Sequence, residues 1–203
     1  MATITISRQF GAGGATLGER LSKRLGYRYV SDHLIREVAK NIGISLAQVR
    51  RIEKIETSKL MKLFEKIINT NIIERQIPKK YRPLDEKRLV EEVKTVIRKL
   101  HDEDNVVIVG RGGNYALKDD KDIIHILLVA SMEHRIKFLT DKYRMSKKQA
   151  ERAINRADAI RYAFLDYFSE GGNHDDPLLY TMVLNMDQVS MEKAEDLVVG
   201  LIL

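Results

Sequence analysis

Residues 4–18 read ITISRQFGAGGATLG, and this stretch decides the fold class. Alternating β-branched residues run into Gly11, Ala12, Gly13 and Gly14, after which Leu17, Leu21 and Leu25 recur at helical spacing. A strand that turns on glycines into an amphipathic helix is a βα unit. The small residues of such a turn let backbone N–H groups face inward, and the helix start adds free donors and a partial positive charge. That arrangement cradles an anion such as phosphate. Thr16, one turn into the helix, sets a hydroxyl where it can ligate a magnesium ion carried on those phosphates.

Outward from this unit, four further β-branched runs stand out: Tyr27–Val30, Val106–Gly110, Ile123–Ala130 and Thr181–Asn185. Helical patterns separate them, which predicts a parallel α/β sheet. Ser146 followed by Gln149 is a capping box, and Ser190 is the N-cap of a terminal helical run from Met191 to Leu203. The wide gap between the second and third runs predicts a helical insert over about 32–103, bearing Leu60, Leu63 and Ile67 and then Leu89, Val93, Val96, Ile97 and Leu100. Pro78 and Pro83 break it. From Ser45 to Glu103 there are 15 Lys and Arg against 10 Asp and Glu, so most of the excess positive charge lies here. A solvated outer helix face explains that charge as well as a ligand does.

The chain has 203 residues, one domain's worth, with 44% hydrophobic and 32% charged residues, which excludes a disordered chain. It has no Cys, hence no disulfide framework, no cysteine nucleophile and no thiolate metal site. The start lacks the pattern of a signal peptide, and no apolar run approaches the roughly 20 residues of a membrane span. A soluble, cytoplasmic protein is expected. The net charge of +6 favours an anionic ligand.

The glycine turn is compared with two phosphate-binding motifs. A P-loop reads G-x-x-x-x-G-K-[ST]; with Thr16 as its hydroxyl, Gly14 stands where the lysine belongs. A dinucleotide fingerprint, G-x-G-x-x-G, breaks at Thr16, although Asp32 supplies an acid about 20 residues on. A tight turn between strand and helix with no ligand uses the same glycines.

Together with three later segments, the turn resembles the cytidylate kinase-like family of P-loop nucleoside monophosphate kinases, and the resemblance runs from end to end. The segments are Ser7 to Gly14; Asn105 to Tyr115, containing VIVGR; Ser146 to Phe168, with Arg152, Arg156, Asp158 and Arg161; and Asp176 to Asn185. Many members of the family also lack the loop lysine. The resemblance implies a three-layer fold with five parallel strands ordered 2-3-1-4-5, an acceptor-binding insert over about 32–103 and a lid over about 143–175, in a single domain of residues 1–203. It implies transfer of the γ-phosphoryl group of ATP, with Mg2+, to a nucleoside monophosphate such as cytidylate. Gly11, Ala12, Gly13, Gly14, Ala15 and Thr16 would hold the donor phosphates, with Thr16 at the metal. Arg8, Arg152, Arg156 and Arg161 would carry the charge of the transferring group. Arg111, Arg36 and Asp32 would meet the acceptor. Members usually end the second strand in Tyr-Asp, where this chain has Ser31 and Asp32, and usually follow Tyr180 with Asp, where it has Thr181. Without the lysine, a protein that binds nucleotide and transfers nothing fits the same residues.

A rival reading is a helix-turn-helix. Ala39, Gly43 and Val49 have its spacing, and Arg50 and Arg51 would face DNA phosphates. Nucleic acid is the less favoured partner; a homodimer through the insert is the other possible one. His33, His101, His125, His134 and His174 show no ligand spacing, so no structural metal is expected. Asp175 and Asp176 beside His174 read as a turn before Pro177.

Overall fold

Strand β1 (Thr3–Arg8) alternates isoleucine with hydroxyl residues, and both of its faces are buried: Ile4 and Ile6 on one, Thr3, Thr5 and Ser7 on the other. A central strand of a parallel sheet has no solvent face, so each buried hydroxyl needs a partner. Thr3 Oγ1 lies 2.9 Å from His101 Nδ1 and Thr5 Oγ1 2.6 Å from His125 Nδ1, while Ser7 Oγ donates to Asn114 Oδ1 at 3.3 Å. The computed structural model describes residues 2–30, 86–103, 105–169 and 172–202.

The other described elements, in chain order, are α1 (Gly14–Leu25), β2 (Arg28–Val30), α2 (Glu86–Asp102), β3 (Val106–Val109), α3 (Gly113–Ala116), β4 (Ile124–Val129), α4 (Met132–Tyr143), α5 (Lys147–Leu165), β5 (Met182–Asn185) and α6 (Met191–Val199). The sheet has five strands, all parallel, in the order β2-β3-β1-β4-β5. That is the expected architecture. One layer packs Leu17 and Leu21 of α1 and Ala194 and Val198 of α6 against Ile4, Ile6, Val107 and Leu128. On the opposite side Val93, Val96, Ile97 and Leu100 of α2 meet Val30, Val106 and Ile108. The apolar stripe expected over the end of the insert therefore covers the sheet as a crossover helix. Residues 31–85 lie outside the described residues, and with them Asp32, Arg36, the helix-turn-helix spacing and the basic Arg50 and Arg51.

Helix α1 rests close on the sheet because residue 18 is glycine: a Cβ there would lie 2.6 Å from Val109 Cγ2 and 2.9 Å from a Tyr29 ring carbon. Its outer face is tied to α6 by Arg20–Glu195 at 2.6 Å and Arg24–Asp196 at 2.6 Å. Both expected caps form. Ser146 and Gln149 make a reciprocal capping box on α5, and Ser190 Oγ accepts from Lys193 N on α6. The segment carrying Arg152, Arg156 and Arg161 is one continuous helix, α5, packed on α4 through Leu139, Ala150 and Ile154 with Phe10 of the glycine turn against them. Among the described residues no helix is long and apolar enough to cross a membrane.

Candidate functional site

The carboxyl ends of β1 and β3 open into a cavity of about 510 Å³, the place where open parallel sheets bind ligands. Its floor is the glycine turn. Gly11 (φ 90°) and Gly13 (φ 88°) are left-handed, conformations an L side chain resists, and Ala12 N closes the turn on Gln9 O at 3.1 Å. Gly13 is the N-cap of α1 and has no side chain to cap with, so the helix start is bare. Among the described residues, the amides of Gly13, Gly14, Ala15 and Thr16 have no hydrogen-bond acceptor. The helix dipole adds partial positive charge at the same point. Ala12 contributes only backbone, its methyl being buried in the core.

Arg8 leaves the end of β1 and runs beneath the turn. A Cβ at position 14 would lie 2.8 Å from Arg8 Cγ, and one at position 110 would lie 2.0 Å from Arg8 Nη1. The arginine thus threads between two glycines, one from each loop. Burial, then the nearby charge of Arg161, pushes the Arg8 guanidinium below the usual arginine range. Among the described residues no carboxylate pairs with it. Arg161, from α5, lines the same cavity with its Nη1 2.7 Å from Asp175 Oδ1, yet neither Nη makes a hydrogen bond to a protein acceptor. The two guanidinium groups repel each other here, and Asp175 stands beside Arg161 alone.

Arg111 follows β3 in a left-handed conformation (φ 62°) between Gly110 and Gly112, also left-handed, and lines the cavity. Backbone of this kind in a non-glycine residue stores strain and gathers at functional sites. Arg152 and Arg156 lie on the exposed side of α5, outside the cavity lining. Asp158 bonds Phe10 N at 3.0 Å and Arg135 Nη1 at 2.5 Å, so it struts the glycine turn and forms no i, i+3 pair with Arg161.

Two further groups have no signal in the local sequence. Asp175 is more than a turn residue: besides Arg161 it accepts from Gln9 Nε2 at 3.1 Å, while Gln9 Oε1 accepts from Ala130 N at 3.1 Å. Lys142, in the last turn of α4, lines the cavity and brings its Nζ within 3.4 Å of Thr16 Oγ1. His174 is fully buried between Asp166 (2.9 Å) and the Tyr115 hydroxyl (2.7 Å). Among the described residues no group of three or more His, Cys, Asp or Glu side chains is arranged to hold a metal ion.

A glycine turn with bare amides, threaded by an arginine and faced by a helix carrying a second, is matched by a family model covering residues 3–188, that of the cytidylate kinase-like family. The chain belongs to the cytidylate kinase-like family. No curated protein matches it in sequence. Among solved structures it is similar to an uncharacterized protein from Eubacterium ventriosum, with a TM-score of 0.69 and 21% identity over 99% of this chain and 97% of that one. Shikimate kinase from Bacteroides thetaiotaomicron is also similar, with a TM-score of 0.54 and 14% identity over 99% and 98% of the two chains. So is a gluconokinase from Sinorhizobium meliloti, with a TM-score of 0.51 and 12% identity over 98% and 91%. At such identities these likenesses establish the fold, that of the P-loop kinases. In this chain residue 14 is glycine, and its missing side chain leaves the room that Arg8 fills.

Proposed function

We propose that this chain transfers the γ-phosphoryl group of ATP to a nucleoside monophosphate, cytidylate being the favoured acceptor. The observation that carries the reading is the positive well: four acceptorless amides together with Arg8, with which no carboxylate pairs among the described residues, and Arg161, in one cavity at the carboxyl edge of the sheet. A polyphosphate satisfies all of these groups at once. In the reaction an oxygen of the acceptor's phosphate attacks the γ-phosphorus, the bond to the β–γ bridging oxygen breaks, and ADP leaves with that electron pair. Backbone amides of residues 11–16 hold the donor phosphates, and Arg8 and Arg161 stabilise the charge spread over the transferring group.

Arg111 grips the acceptor phosphate from the end of β3, where its planar fork suits two oxygens. Asp32 and Arg36 would complete the acceptor side. Arg152 and Arg156 do not line the cavity and are given no role in this reading. The half-buried Thr16 hydroxyl beside the bare amides fits a magnesium ion, which keeps most of its ligands as water and phosphate. When bound with nucleotide, that ion neutralises charge on the β and γ groups.

A coupled assay with ATP across CMP, dCMP, UMP, AMP and GMP tests this, read beside thermal stabilisation by ATP with magnesium. Turnover, highest with CMP, is expected. Stabilisation by ATP with no turnover on any acceptor would make the protein a nucleotide binder that transfers nothing, and no stabilisation at all would end the reading.

A further inference from the structure

We propose that Lys142 supplies, from across the cavity, the ammonium that the glycine loop itself lacks, and that it meets the terminal phosphates of a nucleoside triphosphate. This rests on the reading of the loop as a phosphate cradle. A lysine cannot enter at position 14, because Arg8 already fills the space its Cβ and stem would need. Lys142 reaches the same first turn of α1 from the other wall, its Nζ 3.4 Å from Thr16 Oγ1.

That distance is long for a hydrogen bond, so the contact is weak and readily exchanged for a phosphate oxygen. The neighbouring carboxylate, Asp141, is already held by Lys137 at 2.9 Å. Among the described residues the other neighbours of the Lys142 ammonium are ring faces, Phe138 at 5.3 Å and Tyr143 at 5.9 Å from Nζ to ring centroid. Rings attract a cation without neutralising it. The charge therefore remains available on a flexible stem in a cavity whose floor presents the bare amides of the glycine turn. Thr16 and Lys142 then divide the work: the hydroxyl at the metal, the ammonium on the phosphate oxygens.

Calorimetric titration of ATP and a turnover assay on wild type, Lys142→Met and Lys137→Met test the assignment. Methionine keeps most of the apolar stem, and Lys137 lies on the same helix outside the cavity. Lys142→Met should weaken ATP binding by about tenfold or more, the loss expected for a charge-assisted contact, and lower turnover, while Lys137→Met matches wild type. The deficit of Lys142→Met should shrink as salt rises. Wild-type affinity and turnover in Lys142→Met would overturn the role of Lys142 and leave the cradle intact. Equal losses in both variants would overturn it too, as a general surface-charge effect. If wild type itself binds no ATP, the cradle reading fails first and takes this assignment with it.

Discussion

Arg8 Cγ lies 2.8 Å from where a side chain at Gly14 would begin. The glycine and the arginine are one device, since the stem of Arg8 can pass beneath the turn only because residue 14 has no Cβ. Restoring a loop lysine is therefore expected to harm the site. Gly14→Lys should lose about tenfold or more in ATP affinity and 1–3 kcal/mol or so of stability from overpacking. Arg8→Ala should also weaken ATP binding. In the double variant the lysine has room, so the combined loss should be smaller than the sum of the two, and a double-mutant cycle reads that coupling directly. Additive losses would separate the two residues.

Asp158 ties α5 to the turn through Phe10 N and to α4 through Arg135. Arg135 is buried at 7% exposure, so Asp158→Ala leaves a guanidinium in the protein interior without its carboxylate. Breaking a fully buried pair costs about 3–5 kcal/mol; with the Asp158 side chain 25% exposed, about 2 kcal/mol is expected. Urea denaturation measures it. A cost below about 0.5 kcal/mol, typical of an exposed pair, would reduce the strut to a surface contact.

The parallel α/β class, the helix caps and the glycine turn were legible because their signals are local or periodic, whereas the strand order came from the family resemblance. Ile4 and Ile6 against Thr5 and Ser7, Leu17 with Leu21, and Ser146 with Gln149 each reveal themselves within a few residues. Arg8 was legible through its place at a strand end next to glycines. Lys142 and Asp175 were not, because the contacts that bring them to the glycine turn, with Thr16 and Gln9, span over 100 residues, and nothing in an exposed lysine at a helix end marks the direction it reaches. The arginines of α5 illustrate the same limit. Arg152 and Arg156 share a face by spacing, but the packing of Ala150, Ile154 and Ala157 turns that face outward and sends Arg161 into the cavity.

Gly18→Ala sets two effects against each other. Replacing a helical glycine with alanine gains about 1 kcal/mol of helix propensity. Here the new methyl would meet Val109 Cγ2 at 2.6 Å and Tyr29 Cε2 at 2.9 Å, a branched side chain on a strand and a ring edge, neither able to swing clear. Overpacking of this kind costs about 1–3 kcal/mol. The steric term wins, and a net loss of about 1 kcal/mol should appear as a melting temperature lowered by roughly 2–4 °C. A variant as stable as wild type would mean that α1 can lift from β3 at no cost.

His125 makes stability fall on the acid side of neutrality. Burial pushes its imidazole below the ordinary histidine range, and the Leu117 carbonyl and the charge of Asp120 offset that only in part. Thr5 Oγ1, 2.6 Å from Nδ1, holds the ring in place beside β1. In the unfolded chain this histidine takes up its proton near pH 6.5, whereas the folded protein resists until the pH is lower. Between those two values the unfolded state binds more protons, so its contribution is complete above about pH 6.5 and is lost as the pH falls toward the folded value. Melting temperatures measured from about pH 7.5 down to about pH 5.5 should decline, and His125→Gln should flatten the decline while lowering stability at neutral pH. An equally steep decline in the variant would assign the acid sensitivity to other groups.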